Sequence, residues 1–377
     1  MDKHLVPTVG IRQTDRSSPQ QLEAVVDWLI GLSGEASDLH LNGARVLIKP
    51  DLMLGYPSGN TSTTHLELIA AVARRVRKLG GHVFVGDSPF VLGKGMADFW
   101  QRTGLEELAV REGVELVSFE QAGSEAVAVE TRVYYVSRAA LDAEVVINIP
   151  RLKRDPWTGF AGAIRNMIGV LPGFQKGLLL KKAASPKSVA RILVDVFSAV
   201  RPAINIVDAL ELTNGNGKVA GGGFLIGACD AVAVDTVLGD ILSCDPHRIY
   251  TTRFAADAGL GIGWMEGIRV EGESVESVRA NTGSDRGSIF SGFIPGLKMA
   301  VSEPYVWMRS DVDEFSCDNC GICVKFCPTR ALRFDDGTSR LVIKRDLCIN
   351  CWAGLANCPR QAISVRKSRM VDWLFRC

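Results

Sequence analysis

Ala44-Arg-Val-Leu-Ile-Lys49-Pro50, Thr64-His-Leu-Glu67 and His82-Val-Phe-Val-Gly86-Asp87-Ser88 together decide the fold. The first is an apolar run closed by proline. The second reads as a capping box that opens a helix running to about Leu79, where Gly80-Gly81 stops it. The third is a short β-branched strand that ends in a polar turn. Two strands joined through one helix must lie parallel in the same sheet. Working outward, Ala143-Glu-Val-Val-Ile-Asn-Ile-Pro150, Ala203-Ile-Asn-Ile-Val-Asp208 and Gly223-Phe-Leu-Ile-Gly227 read as further buried strands. Helical spacing returns from Pro186 to about Val200 and from Ala231 to about Ser243. The pattern predicts an α/β fold, a parallel-sheet, three-layer domain over residues 1–300. From about Thr282 to Asp313 no period is clear, so this stretch reads as a linker or docking segment, with Tyr305 and Trp307 available to pack on a neighbour.

The chain has 377 residues, enough for one large domain and a small one. With 43 Lys plus Arg against 42 Asp plus Glu there is no global field to attract nucleic acid or an anionic membrane surface, and neither partner is expected. Met1 to Ser18 lacks the unbroken apolar stretch of a secretory signal, and no run approaches the ~20 apolar residues of a membrane helix. A cytoplasmic protein is the expectation.

Seven of the ten cysteines fall between Cys317 and Cys358, a clustering that suits a metal site rather than a spread disulfide framework. Cys317-Asp-Asn-Cys320-Gly-Ile-Cys323-Val-Lys-Phe-Cys327-Pro328 is the full C-x2-C-x2-C-x3-C-P run of bacterial ferredoxins. Zinc, the other home of clustered cysteines, has little use for a third cysteine so close and a fourth followed by proline. Residues 301–377 are therefore expected to hold the linker and a small α+β, ferredoxin-like domain. An offset of 31 residues maps Cys317, Cys320, Cys327 and Pro328 onto Cys348, Cys351, Cys358 and Pro359, so the domain is an internal duplication. The same offset maps Cys323 onto Gly354. By the crossed ligation of two-cluster ferredoxins, Cys317, Cys320, Cys323 and Cys358 hold a complete [4Fe-4S] cluster, whereas Cys327, Cys348 and Cys351 leave a second one thiolate short. That second cluster is lost, or replaced by a [3Fe-4S] cluster, or completed by an outside ligand such as water or Cys377, or held open for substrate.

In the larger domain, polar residues stand at the expected carboxyl ends of strands, where open α/β sheets bind ligands. They are Lys49-Pro-Asp51, Gly86-Asp87-Ser88, Pro150-Arg-Leu-Lys153, and Asp208 with Glu211. Capping and turn formation are ordinary alternatives for each. Lys49, Lys153 and Arg165 form a cationic set suited to a carboxylate, phosphate or enolate-like oxygen, and Asp87 and Asp208 suit proton handling or the holding of those cations. His65, at a helix start, is open to capping, proton donation or no role. Neither G-x-G-x-x-G nor G-x4-G-K-[ST] occurs, so NAD and ATP are not expected.

The chain resembles the family called domain of unknown function 362, many members of which end in a ferredoxin-like module. The resemblance rests on Val46-Leu-Ile-Lys49-Pro-Asp51, Thr63-Thr64-His65, Gly86-Asp87-Ser88-Pro89, Ile149-Pro150-Arg-Leu-Lys153, Gly162-Ala163-Ile-Arg165-Asn166-Met-Ile-Gly169, Val207-Asp208 with Asn214-Gly215, and Asp230-Ala-Val-Ala-Val-Asp235. It implies a fold and a redox theme without a substrate. The family typically has Asn where this chain has Asp51, a Thr-His pair where it has Arg154-Asp155 and Lys where it has Arg165.

The expectation is thus an iron–sulfur oxidoreductase that takes low-potential electrons from a redox donor such as a ferredoxin or flavodoxin and passes them to a small organic substrate at the sheet edge. The competing expectation is a non-enzymatic electron-transfer or assembly protein whose α/β domain docks a partner.

Overall fold

The computed structural model describes residues 6–15, 18–32, 41–52, 63–89, 96–183, 185–213, 219–280, 282 and 307–369. Asn214-Gly215, Tyr305 and Cys377 lie outside them. Eight strands form the central sheet, in the order Arg269–Gly272, Thr8–Gln13, Phe224–Ala228, Ile204–Ala209, Val145–Ile149, Arg45–Pro50, His82–Asp87 and Glu115–Ser118. All run parallel except Phe224–Ala228, which is antiparallel to both neighbours. That strand follows Ile204–Ala209 through residues 210–223, which form the small antiparallel pair Leu212–Thr213 and Val219–Gly221 and, among the described residues, no helix to carry the chain back over the sheet for a parallel return.

Alternation along the strands makes three layers. Leu47, Phe84, Val146, Val207 and Ile226 point to one face, which Ala163–Asn166, Pro186–Ala199 and Ala231–Ile241 cover. Val46, Ile48, Val85, Ile147, Ile206 and Leu225 point to the other, under Pro19–Leu32 and Leu66–Lys78. The inner strands Arg45–Pro50, Val145–Ile149, Ile204–Ala209 and Phe224–Ala228 are buried on both sides, which is why they read as continuous apolar runs.

The expected capping box does not form. Leu66–Lys78 has His65 at its N-cap with no side-chain cap bond. The Thr64 hydroxyl is engaged elsewhere, donating to the Ile149 carbonyl at 2.7 Å and accepting from the Asp51 N–H at 2.8 Å.

In the C-terminal part, Met308–Val312 pairs antiparallel with Ile363–Lys367, and Leu332–Phe334 with Leu341–Ile343. The short helices Ile322–Lys325 and Ala353–Ala356 repeat the 31-residue offset, so the duplication is structural as well. Met308–Val312 corrects the reading of 282–313 as unpatterned linker: its last residues are the first strand of this duplication. Trp307 is half-buried and stacks under Arg309, whose Cζ is 5.1 Å from its ring centre.

Candidate functional site

The strand ends converge on a network of ion pairs. Lys49, wholly buried, places Nζ 2.9 Å from Asp87 Oδ1 and donates to the Pro50 carbonyl and Asn166 Oδ1. Asp87 also accepts from the backbone N–H groups of Leu52 and Ser88. Burial pushes its carboxyl up, against the downward pull of Lys49. A side chain at Gly169 would collide with both Asp87 Oδ1 and Lys49 Nζ, which accounts for glycine in that motif.

Asp208 is also fully buried. It holds Arg151 at 2.5 Å, accepts from the His65 N–H at 2.9 Å and lies 3.0 Å from His65 Nδ1. Burial alone would raise this carboxyl, but Arg151 and then His65 outweigh it and bring it to about 2. His65 Nε2 is buried, makes no hydrogen bond among the described residues and lies 3.6 Å from Glu211 Oε2. It stands as a proton donor or acceptor held in place from its other nitrogen.

Two further pairs are partly open to solvent: Lys153–Asp51 at 2.8 Å and Arg165–Asp155 at 2.7 Å, with Asp51 acting on Arg165 as well. Asp51 is bonded to Thr64, whose neighbour His65 is bonded to Asp208, and Lys49 is bonded to Asn166, whose neighbour is Arg165, so the pairs of Lys49, Asp87, Lys153, Arg165 and Asp208 stand side by side at the strand ends. Each of the three expected cations carries a carboxylate partner, because a bare charge at this depth costs several kcal/mol. Residues 53–62 and 90–95, which follow two of the strands, lie outside the described residues.

Sequence reasoning passed over several members. Arg151 lies in the strand-end group Pro150-Arg-Leu-Lys153 but was not among the expected site residues. Asn148 and Asn205, on neighbouring strands, bond to each other at 3.0 Å, and Asn166 donates to Asn148 at 2.8 Å. An asparagine inside each of two β-branched runs was the available signal. Glu120 and Lys176 were missed as well. Ser88 Oγ donates to Glu120 at 2.5 Å, and Lys176 Nζ donates to Ser88 O at 2.6 Å, Ser88 Oγ at 2.8 Å and the Leu171 carbonyl at 3.2 Å. Burial lowers this lysine to about 8, although Glu120 and Asp87 resist the shift.

The cysteines divide into two sets. Cys317, Cys320, Cys323 and Cys358 line one cavity, at whose mouth Cys320 and Phe334 are exposed. Cys327, Cys348 and Cys351 line a second, together with Leu332, Trp352 and Gly354. Burial raises the Cys323 thiol to about 11 and Cys351 to about 12, and in each case the other cysteines of the same set add to the rise. Four thiols around one cavity and three around the other are donor sets suited to iron–sulfur ligation. The N–H groups of Leu332 and Ala362 donate to the sulfurs of Cys327 and Cys358, each at 3.3 Å.

The two parts of the chain meet at the second set. The Phe174 N–H donates to the Asn350 carbonyl at 2.9 Å, and Phe174, Met308 and Trp352 form a small apolar core.

The chain belongs to the family described as Domain of unknown function (DUF362), whose model matches residues 46–240. A model of the 4Fe-4S dicluster domain matches residues 316–362, and the C-terminal part is an iron–sulfur, ferredoxin-like domain. Thylakoid-associated protein sll1697 of Synechocystis is 30% identical over 264 residues, 68% of this chain and 81% of that protein. A ferredoxin of Pyrobaculum islandicum is 37% identical over 65 residues, 17% of this chain and 59% of that protein. Among solved structures, the lactate racemase apoprotein of Thermoanaerobacterium thermosaccharolyticum matches with a TM-score of 0.41 and 12% identity, spanning 61% of this chain and 56% of that one. No described helix is long and apolar enough to cross a membrane.

Proposed function

We propose that this protein is an iron–sulfur oxidoreductase in which electrons from the ferredoxin-like domain reach a small organic substrate at the strand ends of the α/β domain. The observation that carries the reading is the gathering of ion pairs at those strand ends, with Lys49–Asp87 and Arg151–Asp208 buried, and the bonds from Ser88 through Glu120 and Lys176 towards the cysteine-bearing domain. Several buried charges in one place are costly as scaffolding alone. The domain division near residue 300, a donor such as a ferredoxin or flavodoxin, and a reducing cytoplasmic setting for seven clustered thiols complete the proposal.

A bound cluster supplies one electron at a time. Cys317, Cys320, Cys323 and Cys358 hold a [4Fe-4S] cluster. Cys327, Cys348 and Cys351 would hold a [3Fe-4S] cluster, since Gly354 offers no thiolate and a Cβ there would stand 2.5 Å from Leu332 Cδ1. Lys153 and Arg165, each partly exposed, orient the substrate and stabilise negative charge developing on it. Asp51 and Asp155 fix the positions of those cations. His65, held by Asp208, delivers the proton from Nε2.

The completeness of the ion pairing also favours a second reading, a non-enzymatic electron-transfer or assembly protein whose α/β domain docks a partner. Anaerobic purification followed by iron, sulfide and small-molecule analysis separates the two. The reductase reading expects a bound small molecule that Lys153→Ala loses while its cluster spectrum is unchanged. A wild type carrying clusters and no such molecule favours the docking protein.

A further inference from the structure

The two cysteine sets differ in what surrounds them. Around the first, Cys320, Phe315, Ile322 and Phe334 are exposed. Asn357, beside Cys358, donates to the carbonyl of exposed Gln121 at 3.2 Å. Around the second, Cys351 is buried and its backbone lies against Gly173. A Cβ on Gly173 would stand 2.6 Å from the Asn350 carbonyl oxygen and 2.7 Å from the Cys351 carbonyl. The Gly173 N–H donates to Ser88 Oγ at 2.9 Å and Glu120 Oε1 at 3.1 Å, and Ser88 adjoins Asp87, the partner of Lys49.

We infer that the first set is the electron entry and the second the exit, with Gly173 as the point of passage and Ser88, Glu120 and Lys176 as positioning residues between the second cluster and the strand-end site. The inference rests on the oxidoreductase reading and deepens it. Each electron would come from a one-electron carrier of the ferredoxin or flavodoxin class, which is oxidised at the first set, and would leave through the second set to the substrate of the α/β domain, which is reduced. Lys176 and Glu120 carry opposite charges close to the exit, and the groups facing Lys176 are Glu120, Asp87 and Lys49. Their effect on the second cluster must therefore have opposite signs.

The test is an EPR-monitored redox titration of the anaerobic, iron-loaded full chain. A three-iron cluster is paramagnetic when oxidised and a ferredoxin-type four-iron cluster when reduced, so the two are read separately. Lys176→Met is expected to move the midpoint of the oxidised-state signal to more negative potential and Glu120→Gln to more positive, with the reduced-state signal unmoved. A merely structural role does not give opposite signs. Equal shifts of both signals, no shift in either variant, or a wild type without the oxidised-state signal would overturn the inference. None of these outcomes depends on whether a small molecule occupies the α/β domain, so failure here is distinct from failure of the oxidoreductase reading.

Discussion

Gly173 and Cys351 touch through their backbones, at a separation that admits no side chain between them. Gly173 also has a φ of 63°, in the left-handed region. Gly173→Ala combines strain with collision and is expected to cost about 1–3 kcal/mol. Denaturant titration measures that loss, and the line shape of the oxidised-state EPR signal should change with it. An unaltered protein by both measures would mean that the two domains are not held at this point.

Arg151 and Asp208 lead to a pH prediction. The Asp208 carboxyl is depressed from 3.8 to about 2 in the folded protein, so its stabilisation is fully present above pH 3.8 and is lost as pH falls towards 2. The amount is on the order of 2 kcal/mol by linkage. Asp208→Asn at neutral pH leaves Arg151 buried beside a neutral group and should cost about 3–5 kcal/mol. Thermal melts from pH 7 to pH 2 check both statements. A variant that melts with the wild type at pH 7 refutes the central place given to this pair.

Cys323→Ser removes one ligand of the complete set, and the low-potential reduced-state signal should fall to a small residue. The oxidised-state signal should survive, because Cys327, Cys348 and Cys351 are untouched. Stoichiometric zinc without sulfide in the wild type would contradict the electron-transfer account altogether.

Gly354→Cys alone meets the Leu332 methyl. The double variant Gly354→Cys with Leu332→Ala should therefore raise the iron content further than the single one, from about seven to about eight atoms per chain, and abolish the oxidised-state signal. An unchanged count in the double variant would show that the fourth corner is already ligated.

Much of this was legible because strand ends leave a plain mark in sequence. Lys49, Asp87 and Asp208 each close an apolar run, and the cysteine spacings spell out their own division into four and three. The antiparallel strand escaped because an apolar run carries no direction; the only sign of it is the lack of helical spacing in the connection before it. The capping box failed because Thr64, though at the right place in sequence, is drawn to Ile149 and Asp51 by tertiary contacts. Glu120 and Lys176 left no local signal: one follows a short edge strand, the other sits on a weakly patterned helix, and they meet only through the packing of Ser88.

The most direct test of electron delivery into the α/β domain is reoxidation. Chemically reduced protein, freed of excess reductant, is mixed anaerobically with a low-molecular-weight cell extract while the cluster absorbance is followed. The account predicts that the wild type reoxidises and that Lys153→Ala, with the same cluster content, stays reduced. Equal reoxidation of the two proteins, or none in either, would contradict it.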